Sequence, residues 1–527
     1  MCYYWLVLFF LAAVPLTSLA TTGVSHWGDM RVKHLWNTLP SNWTYLSHPS
    51  NSTTIDLRIA LKPQSENALI EALYEVSSPS HPKHVSPPLL CAPMCSCERL
   101  LCCRYGKHLS REQATELVAP DSETLENVKS WLKDSGVPSS SISTLQSGNW
   151  LKIVNIPVYQ ANKLLEASYQ YYRHTETNDT ILRTMSYALP EALQDDVQTV
   201  APTTYFHSPR TLRKLSRLHP RVAEAVDAPR SGVTARQNDN NGTVTPLYLR
   251  ELYNTVNYVP NATEMNVVGI AGFLGLYPRK DDIDPFMEQF RPDAVGIRFA
   301  VVQINGGGYS TGDPSSDGNQ NMEYSLAMTY PIDHVFYSTG GEPPFQPDSS
   351  TPTQNNEPYL DFLTYLLEGP NIPQTITSGY ADDEQTVPMD YAITVCNLFA
   401  QVAARGTSVV VDSGYHGVGA GSCEANDGSG KVRFQPQFPA TCEFEVFVHS
   451  YQYKSLIKPL SFVGPYVTSV GGTMYNTPEV AATASSGGFS NYFGVPHYQS
   501  SAVPEYLANL GVQNSGLFKC VRCLDLI

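Results

Sequence analysis

The densest group of chemically reactive side chains is a run of five cysteines within thirteen positions, in a chain that has eleven cysteines in all. The five are Cys91, Cys95, Cys97, Cys102 and Cys103. Zinc sites usually present Cys-x-x-Cys or histidine pairs, whereas the successive spacings here are 4, 2, 5 and 1. The pattern disfavours a metal site, although Cys520 and Cys523, further on, do form a Cys-x-x-Cys pair.

Two glycine-rich stretches could also carry chemistry. Residues 308–312 read Gly-Tyr-Ser-Thr-Gly and fit the nucleophile-elbow pattern, but that motif needs a helix directly after it, and the turn-forming Asp-Pro-Ser-Ser-Asp-Gly follows instead. Residues 305–308 read Asn-Gly-Gly-Gly, without the Lys-Ser/Thr of a phosphate-binding loop. Neither stretch predicts a site.

The composition is that of an acidic globular protein. Of its 527 residues 42% are hydrophobic and 16% are charged, which allows two or three domains with substantial cores. The formal net charge of −15 argues against nucleic acid or an anionic membrane surface as a partner.

The N-terminus has features of an export signal. Residues 1–20 are largely apolar and end in Ser-Leu-Ala, a pattern that signal peptidase cleaves. The usual basic residues before the apolar run are missing, so a buried strand or helix is the alternative. A secreted, extracellular glycoprotein would suit the five Asn-x-Ser/Thr sequons, at Asn42, Asn51, Asn178, Asn241 and Asn261. No later apolar stretch is long enough to span a bilayer.

Residues 21–200 predict a compact α/β unit of mostly antiparallel character. Apolar and polar residues alternate from Ile55 to Leu61, as in a half-buried strand. Ser110 and Gln113 form a capping box that begins one helix, and the pattern from Val158 to Tyr169 predicts another.

A change of composition separates this unit from the next. Residues 207–236 contain seven lysines or arginines and three prolines, which predicts an exposed basic processing linker within 201–236. After it, short β-branched runs alternate with helical patterns. One helix places Tyr391, Val395 and Val402 on a single face and ends at Gly406, before an apolar strand. This order predicts a doubly wound α/β domain with a parallel sheet.

Long motifs of the second unit match one protein family. They are NVVGIAGF, QINGGGY, NNEPYLDFLTYL, IPQTITSGYADDEQTVP, VCNLFAQVAARG, YVTSVGGT and SSGGFSNYF. They resemble the catalytic domain of the sedolisins, secreted serine-carboxyl peptidases, and especially fungal members of the tripeptidyl-peptidase type. SSPSHPK, YGKHLSREQ and QANKLLEASYQYYRH resemble the family's activation prodomain. The resemblance implies a prodomain over 21–200 and a partial, C-terminally truncated peptidase domain over 237–517 with a subtilisin-like parallel sheet.

The resemblance also implies a catalytic site. The family uses a serine nucleophile, a glutamate base, an aspartate that orients the base, and a protonated carboxyl that donates a hydrogen bond to the oxyanion. Alignment of DGNQNMEYSLAMTYP places Asp317 at the glutamate position and Asn321 at the aspartate position. Asp317 is one methylene shorter than glutamate, and Asn321 lacks the charge. Glu323 is an alternative base, but at helical spacing it points elsewhere.

The remaining catalytic positions differ as well. Tyr415 stands where the Ser-Gly-Asp-x-Gly motif has its aspartate; it is either a neutral hydrogen-bond donor to the oxyanion or a tolerated loop residue. The family's serine and its calcium site lie downstream of SSGGFSNYF, and we expect the chain, as written to Ile527, to lack both. Carboxylate catalysis implies work in acid on peptide or protein substrates.

Three segments interrupt the resemblance and look like translated introns. Without residues 84–104, SSPSHPK continues directly into YGKHLSREQ, and without 443–464, FQPQFPATC continues into PYVTSVGGT. Residues 518–527 depart from the family at once. The cysteine run lies inside the first segment, so an insertion explains it better than a zinc site does.

Of the cysteines within the resemblance, Cys423 and Cys442 bracket a loop, and we expect them to form a disulfide while Cys396 lacks its partner. Two functions stay open. One is a secreted acid peptidase proenzyme of tripeptidyl-peptidase type that is inactive as written. The other is a non-catalytic homologue whose prodomain binds or inhibits an active relative.

Overall fold

A computed structural model gives the fold. It describes residues 26–36, 39, 43–65, 67–77, 106–145, 148–175, 178, 180–204, 206, 244–260, 266–309, 316–341, 343–352, 354–419, 422–442, 466–474, 480–482 and 485–518. These residues form two units, which we call the N-terminal unit (26–206) and the C-terminal unit (244–518).

In its described part, the N-terminal unit has three antiparallel sheets, with strand orders β1-β8, β2-β6-β7 and β4-β5-β3-β9. The strands are β1 (Met30–Leu35), β2 (Trp43–Ser47), β3 (Thr54–Leu61), β4 (Ile142–Thr144), β5 (Trp150–Pro157), β6 (Gln170–His174), β7 (Thr180–Arg183), β8 (Ser186–Pro190) and β9 (Val197–Ala201). The helices are α1 (Ala68–Ser77), α2 (Arg111–Val118), α3 (Ser122–Asp134) and α4 (Val158–Leu164). The predicted antiparallel α/β unit is confirmed.

Local sequence signals explain how these elements begin and end. The capping box is present: the Gln113 amide donates to Ser110 Oγ over 3.2 Å, and the Ser110 amide donates to Gln113 Oε1 over 2.9 Å. The helix predicted to reach Tyr169 is shorter and ends at Leu164. Glu166 adopts a positive φ of 43°, and Asn162 Oδ1 accepts a hydrogen bond from the Tyr169 amide, so the chain turns towards β6.

The C-terminal unit is built on a parallel sheet. The strands are β10 (Val267–Gly272), β11 (Phe299–Ile304), β12 (Asp333–Thr339), β13 (Thr375–Ser378), β14 (Asp382–Asp383), β15 (Ser408–Asp412), β16 (Gln437–Phe438), β17 (Thr468–Val470), β18 (Thr473–Met474) and β19 (Val480–Ala481). The helices are α5 (Pro246–Leu252), α6 (Lys280–Phe290), α7 (Ser316–Thr329), α8 (Tyr359–Glu368), α9 (Met389–Ala404) and α10 (Ala502–Leu510).

Six strands form the main sheet in the order β11-β12-β10-β13-β15-β17, and every neighbouring pair is parallel. The predicted doubly wound α/β architecture is confirmed. Successive strands are added first on one side of β10 and then on the other, from β13 onwards. The carboxyl ends of β10 and β13 therefore border the crevice in which open parallel sheets bind ligands.

The two units are packed together against helix α9. Leu73, Val118 and Trp150 of the N-terminal unit are each at most 3% exposed and belong to the same core cluster as the buried face of α9. The Leu109 amide donates to the carbonyl of Ala404 over 2.8 Å. Burial of a large apolar side chain stabilises a contact by about 1.5–3 kcal/mol, so this shared core holds the units in place.

An ion pair also joins the units. Arg58 Nη1 on β3 lies 2.9 Å from Asp361 Oδ1 on α8, and both side chains are largely shielded, at 36% and 21% exposure. Asp361 accepts a second hydrogen bond from Asn305, and burial raises the pKa of its carboxyl despite the arginine. The contact therefore combines apolar burial with a partly buried charge pair.

The predicted disulfide between Cys423 and Cys442 is wrong. Cys442 is bonded to Cys396, with their Cα atoms 5.1 Å apart and both side chains fully buried. Cys396 lies on the buried face of α9, which passes directly beside Cys442 in the folded unit. Cys423 is a half-buried free thiol in a loop, at a φ of 55°. The position of Cys423 and Cys442 at the two ends of a loop therefore did not predict the pairing, because the partner of Cys442 lies on a helix 46 positions away.

Several sequence predictions fall outside the described residues. They are the signal segment 1–20, residues 207–236 of the predicted linker 201–236, the segments 84–104 and 443–464, most of the tail and the sequons at Asn42, Asn241 and Asn261. The start of that linker is not exposed: Thr203, Thr204 and Phe206 are buried in the N-terminal unit. Asn51 and Asn178 are described, and both are exposed. No helix within the described ranges is both long and apolar enough to cross a membrane.

Candidate active site

Two of the three predicted site residues meet at Gly379, directly after β13. Asn321 lies on α7, and its Nδ2 would stand 3.0 Å from a Cβ atom added at Gly379, so a side chain there would crowd the amide. Tyr415 follows β15, and its hydroxyl donates to the Gly379 carbonyl over 3.2 Å. Gly379 is thus contacted from both sides, by a helix and by a loop.

The loop after β15 is held in a fixed shape. Gly414 adopts a φ of 94°, which favours glycine, and its amide donates to Asp412 Oδ1 over 2.6 Å. Ser486 is 8% exposed; its amide donates to the Gly414 carbonyl, and its hydroxyl accepts from the His416 amide over 3.0 Å. These bonds direct Tyr415 towards Gly379 while leaving its side chain 52% exposed.

The other two candidate acids of α7 have different positions. Asp317 lies in the first turn, one helical turn before Asn321, and its side chain is outside the described set. Glu323 lies close enough to Asp282 of α6 for that charge to act on its carboxyl. Burial, and secondarily the Asp282 charge, raise the pKa of Glu323 to about 7. The expectation that Glu323 points away from the site stays a prediction.

Two buried tyrosine side chains form hydrogen bonds that hold the segment around Gly379. The Tyr359 hydroxyl, at the start of α8, donates to the Tyr380 carbonyl over 3.1 Å. The Tyr380 hydroxyl in turn donates to the carbonyl of Phe273, just beyond β10, over 3.3 Å. The segment after β13 is therefore tied to both neighbouring elements of the crevice.

Sequence reasoning missed a set of buried carboxyls beside this segment. Glu357 and Asp382 are each 4% exposed, and their carboxyl groups lie within hydrogen-bonding range of each other. Burial raises the pKa of both carboxyls, and for Asp382 the Glu357 charge raises it further. Burial also raises the pKa of Asp383 to about 7. The available signal was the placement of these acids inside two of the motifs that resemble the family, NNEPYLDFLTYL and GYADDEQTVP.

Glu384 connects the same segment to a loop further along the chain. It is fully buried; its carboxylate accepts a hydrogen bond from the Ser490 hydroxyl and another from the Asn491 amide, the latter over 2.6 Å. The motif SSGGFSNYF is therefore anchored beside the crevice.

A serine–histidine contact lies elsewhere and is structural. His334 Nε2 is 3.0 Å from the hydroxyls of both Ser325 and Thr329, and its Nδ1 is 2.9 Å from the Ile332 carbonyl. His334 is 2% exposed and lies near the amino end of β12, at the opposite edge of the sheet from Gly379. Burial lowers the pKa of its imidazole, so it is a satisfied core histidine rather than a base beside the crevice.

The side chains that meet at Gly379 are neutral hydrogen-bonding groups. The Asn321 amide can donate and accept, the Tyr415 phenol can donate, and the Gly379 carbonyl can accept from a peptide N–H. Among the described residues, no group of three or more His, Cys, Asp or Glu could hold a metal ion. The expectation that the family's calcium site lies outside this chain stays a prediction.

Comparisons with known proteins agree with the sequence motifs. Residues 41–88 and 101–206 match the profile described as Pro-kumamolisin, activation domain. Tripeptidyl-peptidase SED2 of Arthroderma otae is 33% identical over 512 residues, which cover 95% of this chain and 77% of that protein. Probable tripeptidyl-peptidase SED3 of Trichophyton verrucosum is 34% identical over 488 residues, covering 91% and 73%.

A solved structure was also found. Pseudomonas sedolisin, a serine-carboxyl proteinase complexed with two molecules of pseudo-iodotyrostatin, is 19% identical, covers 49% of this chain and 65% of its own, and has a TM-score of 0.30. The identity and coverage of the fungal relatives are what decide the family. The chain belongs to the sedolisin family of tripeptidyl-peptidase-like proteins and carries their activation domain.

Proposed function

We propose that this chain is a secreted, acid-adapted proenzyme of tripeptidyl-peptidase type whose peptide crevice is latent, so that it binds peptides without cleaving them. The observation that carries the proposal is the meeting of Asn321 and Tyr415 at Gly379. Both positions should carry carboxyls in a working site of this family, and a neutral amide cannot supply the charge that orients a carboxylate base.

The hydrogen bond from Tyr415 to Gly379 supports latency in a second way. A peptide lying along the segment after β13 needs a backbone acceptor, and the Gly379 carbonyl already accepts from the phenol. In this proposal a bound peptide takes the place of the phenol at this carbonyl and replaces a hydrogen bond worth about 1 kcal/mol. Tyr415 therefore competes with substrate in this proposal rather than assisting it.

The buried acids support work in acid. Glu323 and Asp383 have pKa values raised to about 7, and burial raises the pKa values of Glu357 and Asp382 as well. Holding these groups neutral costs nothing at low pH, whereas ionising them inside the protein is expensive. Secretion, glycosylation at the sequons and release of the prodomain within 207–236 complete the proposal.

Two measurements test it. The full chain is incubated at about pH 4 with a peptide that has a free N-terminus and with its N-acetylated form, and products are identified by mass spectrometry. We expect no tripeptide, with an active fungal relative as the positive control. Release of tripeptides from the free peptide alone would overturn latency.

Binding is measured by titration calorimetry at the same pH. We expect Tyr415→Phe to bind the free peptide more tightly, by up to about fivefold, because the Gly379 carbonyl is released. Weaker binding by Tyr415→Phe would mean that the phenol contacts the ligand, which contradicts competition.

A second candidate function is inhibition of an active relative by the N-terminal unit. It is favoured by the position of Asn321 and Tyr415 outside both suspected insertions, so that correct splicing would not restore a catalytic site. Adding the full chain to an active relative separates the two: tight inhibition without turnover supports this candidate, and no inhibition removes it.

We further propose that residues 84–104 and 443–464 are insertions into a family fold. The profile match omits residues 89–100, inside the first segment. The Gly106 amide donates to the Val76 carbonyl over 2.8 Å, so the chain before and after this segment meets in one hydrogen bond. Sequencing of the transcript tests the idea: a mature message that retains both segments would contradict it.

A further inference from the structure

The carboxyl groups of Glu357 and Asp382 have no role in the proposed peptide chemistry, yet both are almost completely buried. Glu357 Oε2 and Asp382 Oδ1 have no hydrogen-bond donor among the described residues. A buried carboxylate oxygen without a donor is costly, and two ionised carboxyls within hydrogen-bonding range would repel each other. One proton shared by the two carboxyls joins them in a hydrogen bond and removes one of the two charges.

The described titratable groups around the pair are acids and phenols. Asp383, next to Asp382 on β14, adds a further acid, and the other titratable groups acting here are the phenols of Tyr359 and Tyr380. Among the described residues, none of the groups that influence the two carboxyls is basic. A proton is therefore the available counter-charge.

The pair lies among the hydrogen bonds that join residues 379–386, which we call the crevice segment, to the start of α8. On one side, Asn356 Nδ2 donates to the Thr386 carbonyl over 3.1 Å, and the Thr386 hydroxyl donates back to Asn356 Oδ1 over 2.9 Å. On the other side, the Tyr359 hydroxyl donates to the Tyr380 carbonyl. Between them, the Glu357 amide donates to Asp382 Oδ2 over 3.4 Å.

We propose that Glu357 and Asp382 share one proton, and that this proton fixes the Gly379–Thr386 segment to the start of α8 in acid and is lost towards neutral pH. Loss of the proton places two charges in an apolar environment, and the segment then opens to hydrate them. Both are positioning residues for the crevice. The inference concerns conformation and stands whether or not the chain cleaves peptides.

The sign of the pH effect follows from linkage. The folded pair keeps a proton that the unfolded chain releases near pH 4, so the folded state binds more protons and stability falls as pH rises above about 4. One retained proton changes the ratio of folded to unfolded protein by about tenfold per pH unit.

The test is denaturant unfolding of the full chain between pH 4 and 8. In wild type, the shared proton should make the folded-to-unfolded ratio fall by up to about tenfold per pH unit. In Glu357→Gln/Asp382→Asn this part of the decline should be absent. Glu368→Gln, an exposed glutamate on the same helix α8, should leave the slope unchanged. Equal slopes in wild type and the double variant would overturn the proposal.

Two additions keep the test decisive. If the double variant does not fold, the infrared difference between wild type and Glu357→Gln at pH 6 should contain a protonated-carboxyl band, and its absence would overturn the proposal. Calcium at millimolar concentration should not restore wild-type stability at pH 8. A rise that depends on Glu357 would show that the pair holds a cation instead of a proton.

Discussion

The carboxyl edge of the parallel sheet holds a pair of buried carboxyls, whereas the contact between the two units contains histidines. Glu357 and Asp382 have raised pKa values and are neutralised in acid. His34 and His108 lie where the N-terminal unit meets α9: Asp390 acts on His34, and the His108 ring is 2.8 Å from a Cβ atom added at Gly406. Burial lowers the pKa of both imidazoles.

Because of this difference, acid should change the stability of the two regions in opposite directions. A raised carboxyl pKa means that stability is lost as pH rises, and a lowered histidine pKa means that stability is lost as pH falls below about 6.5. Acid should therefore stabilise the Gly379–Thr386 segment and weaken the contact between the two units.

The largest effect is expected from the disulfide that braces the carboxyl edge. Cys396→Ser should lower the free energy of unfolding by about 4 kcal/mol, because the bond closes a separation of 46 positions between α9 and Cys442. Cys423→Ser is the matched control and should change it by less than about 0.5 kcal/mol. Denaturant unfolding checks both, and a larger loss in the Cys423 variant would restore the pairing that the structure replaces.

The next effect concerns the contact between the units. Leu73→Ala should destabilise the contact by about 3 kcal/mol, since Leu73 is 2% exposed in the core shared with α9. Leu35→Ala, at a leucine that is 53% exposed in the same unit, should have almost no effect. Limited proteolysis of the linker, followed by gel filtration, measures whether the units stay together. Equal retention in both variants would count against a shared core.

A smaller effect is expected from the histidines. The double variant His34→Gln/His108→Gln should retain the two cleaved units together at about pH 5 better than wild type, because neither glutamine can acquire a charge. His48→Gln, at an exposed position on the N-terminal unit, is the control. The same gel-filtration assay measures it at pH 5 and 7.5. If the two units separate equally at pH 5 in the double variant and in wild type, the histidines do not cause the acid sensitivity of the contact.

The smallest effect on stability is expected at Tyr415. Tyr415→Phe removes one hydrogen bond from a side chain that is 52% exposed, so unfolding should become easier by less than about 1 kcal/mol. Thermal unfolding measures it. A loss of several kcal/mol would make Tyr415 a structural residue rather than a competitor for the crevice.

The main sheet and α9 could be predicted from the sequence because their signals are local. Short β-branched runs predicted the parallel sheet, and the periodicity that ends at Gly406 predicted α9, which ends at Ala404. Asn321 and Tyr415 were assigned only by the family resemblance, and their meeting at Gly379 is seen only in the folded structure.

The rest depends on distant parts of the chain. Glu357 and Asp382 are 25 positions apart and meet only because α8 and β13 return the chain to the same edge. Cys396 finds Cys442 through the path of a helix, which spacing does not encode. The early end of α4 reflects a left-handed residue at Glu166, where a helical pattern continues in the sequence.

Hydrogen exchange of the full chain at pH 4.5 and 7.5, with rates corrected for the intrinsic effect of pH, tests the opposite responses most directly. The amides of Glu357 and Glu384 report on the carboxyl edge of the sheet. The Leu109 amide, which donates to the Ala404 carbonyl, reports on the contact between the two units. We predict that acid raises the protection of the first two and lowers that of Leu109. Protection that moves in the same direction at both regions would contradict this account.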